Sequence, residues 1–249
     1  MRPLLRKLRP ANGIAYFLHF GLVLILPIAV FILVRLDFVQ LALSIVVLSK
    51  WRMFAVRPRF WAANVRANSV DLMVGLSTVV FMVHSGGAAL QLFWTVLYAI
   101  WLLGVKPRST TLWVSAQAAI AQLAALSALY TAWADGPMIA LTFLTGLFCF
   151  FAARHFFDTF DEPYARMLSY SWGYFGAALA WLLSHWLLFY GVISQPTLLL
   201  SALGYGLAAL YYLDHYDKLN KGLRRQFIFI MVAVVMVVLA FSDWGDKVV

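Results

Sequence analysis

The sequence predicts an all-α protein, a polytopic transmembrane helix bundle of about nine spans with its N-terminus inside and its C-terminus outside. Three observations carry this expectation. The chain is 64% hydrophobic and only 12% charged, about half the charge of an ordinary soluble domain, and its mean hydropathy is +0.86. Apolar runs approaching the ~20 residues that cross a bilayer recur from end to end. Finally, when the connections are assigned alternately to the two sides, all but two of the 19 Lys and Arg fall on the inner side. The exceptions are Arg35 and Lys247, and short loops rich in Lys and Arg stay inside.

Each span follows from its run and its borders. The first, 14–34, comes after Arg2, Arg6, Lys7 and Arg9 and has no small-residue cleavage site behind it, so it reads as an uncleaved anchor. The second, 36–52, has an apolar core over 36–48 that is shorter than the ~17–25 residues a span needs. It crosses only if Lys50 and Arg52 snorkel toward the head groups. The third run, 70–84, opens on Asn68-x-x-Asp71, which reads as a helix start with Asp71 near its cap. The remaining spans are 88–105, 111–134, 138–157, 167–190, 197–213 and 223–242. Tight outer connections such as Ser85-Gly86-Gly87 and Asp135-Gly136-Pro137 supply the φ angles of sharp turns. No polar stretch is much longer than 50–69, so residues 1–249 read as a single integral membrane domain.

The connection KWRMFAVRPRFWAANVRANS, 50–69, holds Lys50, Arg52, Arg57, Arg59 and Arg66, four large aromatics (Trp51, Phe54, Phe60 and Trp61) and no acid. In water that mixture would suit nucleic acid. Beside a bilayer it suits a basic interfacial loop whose five cations contact anionic lipid head groups. The expected partner is therefore membrane lipid, not nucleic acid. Trp133, Trp186, Tyr190 and Trp244 near the outer ends, with Trp51 and Trp61 near an inner one, fit interfacial belts. Gly173, Gly176, Ala177 and Ala180, and likewise Gly204, Gly206 and Ala208, mark close helix contacts. Gln117 and Gln122 read as interhelical hydrogen bonders. His185 is an ionisable group near the end of a span, and His84 and His19 read as interfacial. Cys149 is the only cysteine, which rules out an intrachain disulfide and leaves it as a packing residue.

The most unusual stretch is RHFFDTFDE, 154–162. On a helix, His155, Asp158, Thr159 and Glu162 stand at i, i+3, i+4 and i+7, on one face opposite the phenylalanines. The stretch 211–225 repeats the pattern with Tyr211, Asp214, His215 and Lys218. Both clusters end spans on the inner side. His155, Asp158, Glu162, Asp214 and His215 thus form a candidate divalent-metal site, since mixed imidazole and carboxylate sets suit Zn, Mn or Fe. The plainer reading is a solvated rim. Asp158 would pair with Arg154 at i,i+4, and Asp161 and Glu162 would precede Pro163 at the start of the seventh span.

The chain has no P-loop and no Gly-x-Ser-x-Gly turn, and its five histidines are too scattered for the boxes of membrane desaturases. Asp161, Ala165 and Arg166 resemble the start of the motif in CDP-alcohol phosphotransferases. Glu162 stands where that family needs glycine, however, and its downstream aspartates would fall on Leu179 and Leu183. No catalytic residue is assigned and no cofactor is evident. The expectation is a non-catalytic membrane subunit, or a small-solute or lipid-handling bundle, with a basic cytoplasmic face contacting anionic lipid. Either a homo-oligomer or a membrane-protein partner is compatible with it. The expected location is multi-pass in a cell membrane, a bacterial plasma membrane given the small loops. The alternative is a metal-dependent enzyme acting on a lipid head group at the cytoplasmic membrane surface.

Overall fold

The computed structural model describes residues 14–185, 189–190 and 193–241. It is an all-α bundle. Nine α-helices occur among the described residues: α1 (Ile14–Arg35), α2 (Val39–Leu48), α3 (Trp61–Val83), α4 (Ala88–Ile100), α5 (Thr111–Trp133), α6 (Met138–Phe157), α7 (Ala165–Leu183), α8 (Gln195–His215) and α9 (Lys221–Phe241). A five-residue π-helical turn, Trp101–Val105, extends α4. Six helical segments are long and apolar enough to cross a membrane, namely Pro58–Val83, Ala88–Val105, α5, α6, α8 and α9.

Helix α5 is central and packs on α3, α6 and α8, while α9 leans mainly on α8. Val70, Met73, Tyr98, Trp101, Ala121 and Ala152 bury one core between α3, α4, α5 and α6. Val30, Val46, Val79 and Met82 close a second between α1, α2 and α3. Burial between helices gains little in lipid, so close backbone approach matters more. At Gly146 of α6 an added Cβ would lie 2.9 Å from the Gly173 carbonyl oxygen of α7, and at Gly173 one would lie 2.9 Å from the Gly146 carbonyl oxygen. Gly176 likewise meets Cys149 Sγ at 2.7 Å. Of the small residues expected at contacts, Gly173 and Gly176 are therefore where α7 touches α6, whereas Gly204 and Gly206 of α8 face Gln122 and Met231.

Three boundaries differ from the sequence expectation. Helix α3 begins at Trp61, well before residue 70, because Asn68 Nδ2 and Ser69 Oγ donate to the carbonyls of Asn64 and Arg66 on their own helix and so do not interrupt it. The stretch 50–69 is accordingly two short 3-10 turns followed by helix. The second run is helical only over the ten residues Val39–Leu48, about 15 Å at 1.5 Å per residue. The chain after it continues down α3. Lys50 is level with Asp71, Asn64 Nδ2 donates to the Met53 carbonyl at 3.2 Å, and Trp61 Nε1 donates to those of Phe54 and Val56. The last boundary is that of α7, which stops at Leu183. Tyr190, expected in the same helix, lies in a two-residue strand paired antiparallel with Ile193–Ser194. Ser194 then caps α8 by accepting from the Thr197 N–H.

Two of the turns use aspartate where glycine is usual. Asp37 and Asp217 have φ of 60° and 54°. In each, the aspartate N–H bonds three residues back, and the following N–H five back, to Leu33 and Leu213 respectively. That is the Schellman closure of a helix end, and Asp tolerates the left-handed region better than most residues. Asp161, φ 51°, turns the chain after α6 in the same region.

Candidate functional site

The charged centre of the molecule is on α3. Because the helix starts at Trp61, Asp71 lies about 15 Å along it instead of capping its first turn. Two lysines converge on its Oδ2: Lys50 Nζ, just beyond α2, and Lys106 Nζ, just beyond the π turn, each at 2.7 Å. Trp101 Nε1 donates to Oδ1 at 3.3 Å. The π turn sets this geometry, for the Lys106 N–H bonds back to the Trp101 carbonyl and carries both side chains toward α3. Such turns recur at functional positions. The Lys50 and Asp71 side chains are 11% and 13% exposed, whereas that of Lys106 is 38% exposed. One carboxylate thus faces two ammonium groups in a largely dry setting.

A second polar chain braces this centre. Gln117 of α5 donates through Nε2 to the carbonyls of Val105 and Arg108, at 2.8 and 2.9 Å, closing the end of the α4 segment. Its Oε1 meets His155 Nε2 of α6 at 3.2 Å. An amide oxygen only accepts, so His155 donates there.

Of the five residues expected to hold a metal, His155, Asp158 and Glu162 are engaged in separate polar contacts. His155 turns to Gln117, and Asp158 meets Arg154 Nη2 at 2.9 Å. Helix α6 ends at Phe157 with Asp158 as its cap, so Glu162 does not continue the helical face of His155 and Asp158. Pro163 disfavours helix at Glu162, and Asp161 has already turned the chain. Glu162 accepts instead from the Tyr164 N–H and the Tyr211 hydroxyl. The C-terminal ends of α6 and α8 are neighbours, as the metal reading required, but aromatic rings occupy the space between them. Phe160 lies edge-on to His215 with ring centres 4.9 Å apart, and Phe157 edge-on to Tyr211 at 5.2 Å. Asp214 is exposed. Among the described residues no group of three or more His, Cys, Asp or Glu is placed to hold a metal ion.

Of the cations expected to contact lipid, Arg52, Arg57, Arg59 and Arg66 are exposed, with Arg59 over the Phe60 ring. Lys50 is turned inward to Asp71. Every described Lys and Arg except Arg35 lies at the end of the bundle that carries 49–60 and the α4–α5, α6–α7 and α8–α9 connections. Trp186 and Trp244 of the expected outer belt, the basic residues before Ile14, and Lys247 lie outside the described residues, and of His19 and Tyr190 only the backbone is described.

An open chamber of about 830 Å³ lies between α5, α6, α7, α8 and α9. Its walls are almost wholly apolar, among them Phe156, Trp172, Leu207 and Met231. Among the few polar residues of the lining, which also include Ser115, Ser171 and Ser201, Gln122 spans three helices. Its Nε2 donates to the Leu200 carbonyl and its Oε1 accepts from Trp172 Nε1, both at 2.9 Å. Gly204 makes room for that bridge, since a Cβ there would come within 2.9 Å of Gln122 Nε2. Helix α9, one wall, buries only Met231 and Val238.

Sequence reasoning missed the pairing of Asp71 with Lys50 and Lys106. The available signal was an acid in an apolar run with lysines ending the runs on either side. No protein-family model matches the chain, and neither a curated protein nor a solved structure matches it.

Proposed function

We propose that this integral membrane protein handles lipid, with its basic end against anionic head groups and its chamber admitting an apolar chain from the bilayer. The chamber is the observation that carries the reading. At about 830 Å³ it falls within the ~300–1,000 Å³ range of ligand sites. Its lining matches a hydrocarbon chain, and its α9 wall is so little buried that little packing resists its displacement. Photo-crosslinking in nanodiscs with a chain-labelled lipid tests this. Adducts should concentrate on Leu207, Met231 and Phe156. Labelling spread evenly over α1 and α4 overturns the reading.

In this reading the chain crosses the membrane nine times, N-terminus inside and C-terminus outside. The ten-residue α2 crosses together with the 3-10 turns that follow it. The charge asymmetry between the two ends supports that orientation, and the cell membrane of a bacterium is the proposed location. Cysteine replacements at Gly86 and Asn220 check it. An impermeant thiol reagent should modify the first from outside and the second only after permeabilisation. The reverse pattern overturns the orientation.

A further inference from the structure

Between residues 38 and 134 Asp71 is the only acid, against seven cations: Lys50, Arg52, Arg57, Arg59, Arg66, Lys106 and Arg108. Asp37 and Asp135 belong to turns at the opposite end of the bundle. Asp158 and Glu162 are already engaged by Arg154 and by Tyr211 with Tyr164. The Asp71 carboxylate is itself fully used, with both ammonium groups on Oδ2 and the indole on Oδ1. A single negative charge cannot neutralise two positive ones, and a charge withdrawn from water without a counter-charge is costly. Of the two lysines, Lys106 is the accessible one, at 38% exposed against 11% for Lys50. The centre therefore presents a net positive charge through Lys106, held in place from behind by Asp71 and from the side by the Gln117-braced π turn.

We infer that Lys106, backed by the Lys50–Asp71 pair, is a binding site for a phosphate group, that of an anionic lipid at the membrane surface. The phosphate supplies the missing negative charge, and an ammonium bound to a phosphate oxygen makes the strong, charge-assisted kind of hydrogen bond. The lipid is favoured over dissolved phosphate because Trp51, next to Lys50 in the chain, is exposed, and an exposed tryptophan suits the head-group level. This inference rests on the basic end facing lipid and not on the chamber.

The test is native mass spectrometry of protein released from nanodiscs containing equal phosphatidylglycerol and phosphatidylcholine, comparing the wild type with Lys106→Gln, Lys106→Arg and the Arg52→Gln/Arg57→Gln/Arg59→Gln triple variant. Lys106→Gln should lower retained phosphatidylglycerol about fivefold, the factor for about one lysine at an anionic surface. Lys106→Arg should restore it, and the triple variant should retain more than Lys106→Gln does. Equal retention by wild type and Lys106→Gln overturns the inference, as does a loss in the triple variant that matches or exceeds it. A parallel melt in millimolar inorganic phosphate separates the sources: no stabilisation supports the lipid, whereas a Lys106-dependent rise overturns the lipid assignment in favour of the free ion. Chain crosslinks in the chamber, measured in the same samples, report on the lipid-handling reading separately, because Lys106→Gln leaves that chamber intact.

Discussion

Lys50 Nζ lies 2.7 Å from Asp71 Oδ2, joining the end of α2 to the middle of α3 across 21 positions of sequence. Lys106 meets the same oxygen from the end of the α4 segment. Three separate elements are thus fastened at one carboxylate. Replacing Asp71 by Asn strands Lys50 in a poorly hydrated place and removes the counter-charge of the more exposed Lys106. It should destabilise the protein by about 3–5 kcal/mol, the scale for breaking a buried pair. Lys50→Met and Lys106→Met should each cost less, because the carboxylate keeps one ammonium. Thermal melts in detergent check the order. Equal melting of Asp71→Asn and wild type would remove the centre from the structural account.

Gln122 binds α5 to α7 and α8 through one amide. Gln122→Leu keeps the bulk but leaves Trp172 Nε1 unpartnered, a loss of about 1–3 kcal/mol, while the Leu200 carbonyl keeps its place in the helical ladder of α8. Gly204→Ala pushes on the same amide, so the double variant should fall short of the sum of the singles. A double-mutant cycle of melting temperatures, with the fluorescence of the tryptophans as a second probe, measures that coupling.

Gly146 and Gly173 face each other through backbone that cannot move aside. Gly146→Ala should cost about 1–3 kcal/mol by overpacking. Gly21→Ala, with nothing within 4 Å of the new methyl, should be close to neutral. Similar melting of the two variants would mean that α6 and α7 do not pack this closely.

Asp158 is 44% exposed beside Arg154, and an exposed i,i+4 pair contributes only about 0.2–0.5 kcal/mol. Asp158→Asn should therefore barely shift the melt. Added Zn²⁺ or Mn²⁺ should leave it unchanged as well, since Arg154, Gln117 and Tyr211 engage three of the five candidate ligands. A metal-induced rise abolished by both His155→Ala and His215→Ala would restore the enzyme alternative.

The sequence by itself determined the class of this protein. Helices α5, α6, α8 and α9 lie within two residues of their expected ends, because run length and turn chemistry are local properties of the chain. It also supplied the contact roles of Gly173, Gly176 and Gln122, since small residues and amides between apolar runs have few other uses in a bundle. It misplaced Asp71, because Asn68 and Ser69 look like a helix start unless their side chains bond back to their own backbone. It put Glu162 on the face of His155, because nothing local marks Asp161 as left-handed where glycine would have done so. Only the tertiary structure decided which charges meet. Lys50, Asp71 and Lys106 come from three elements, and the π turn that delivers Lys106 depends on Gln117 of a fourth. The chamber is likewise a gap between five helices. Its volume is set by their packing, which no single run encodes.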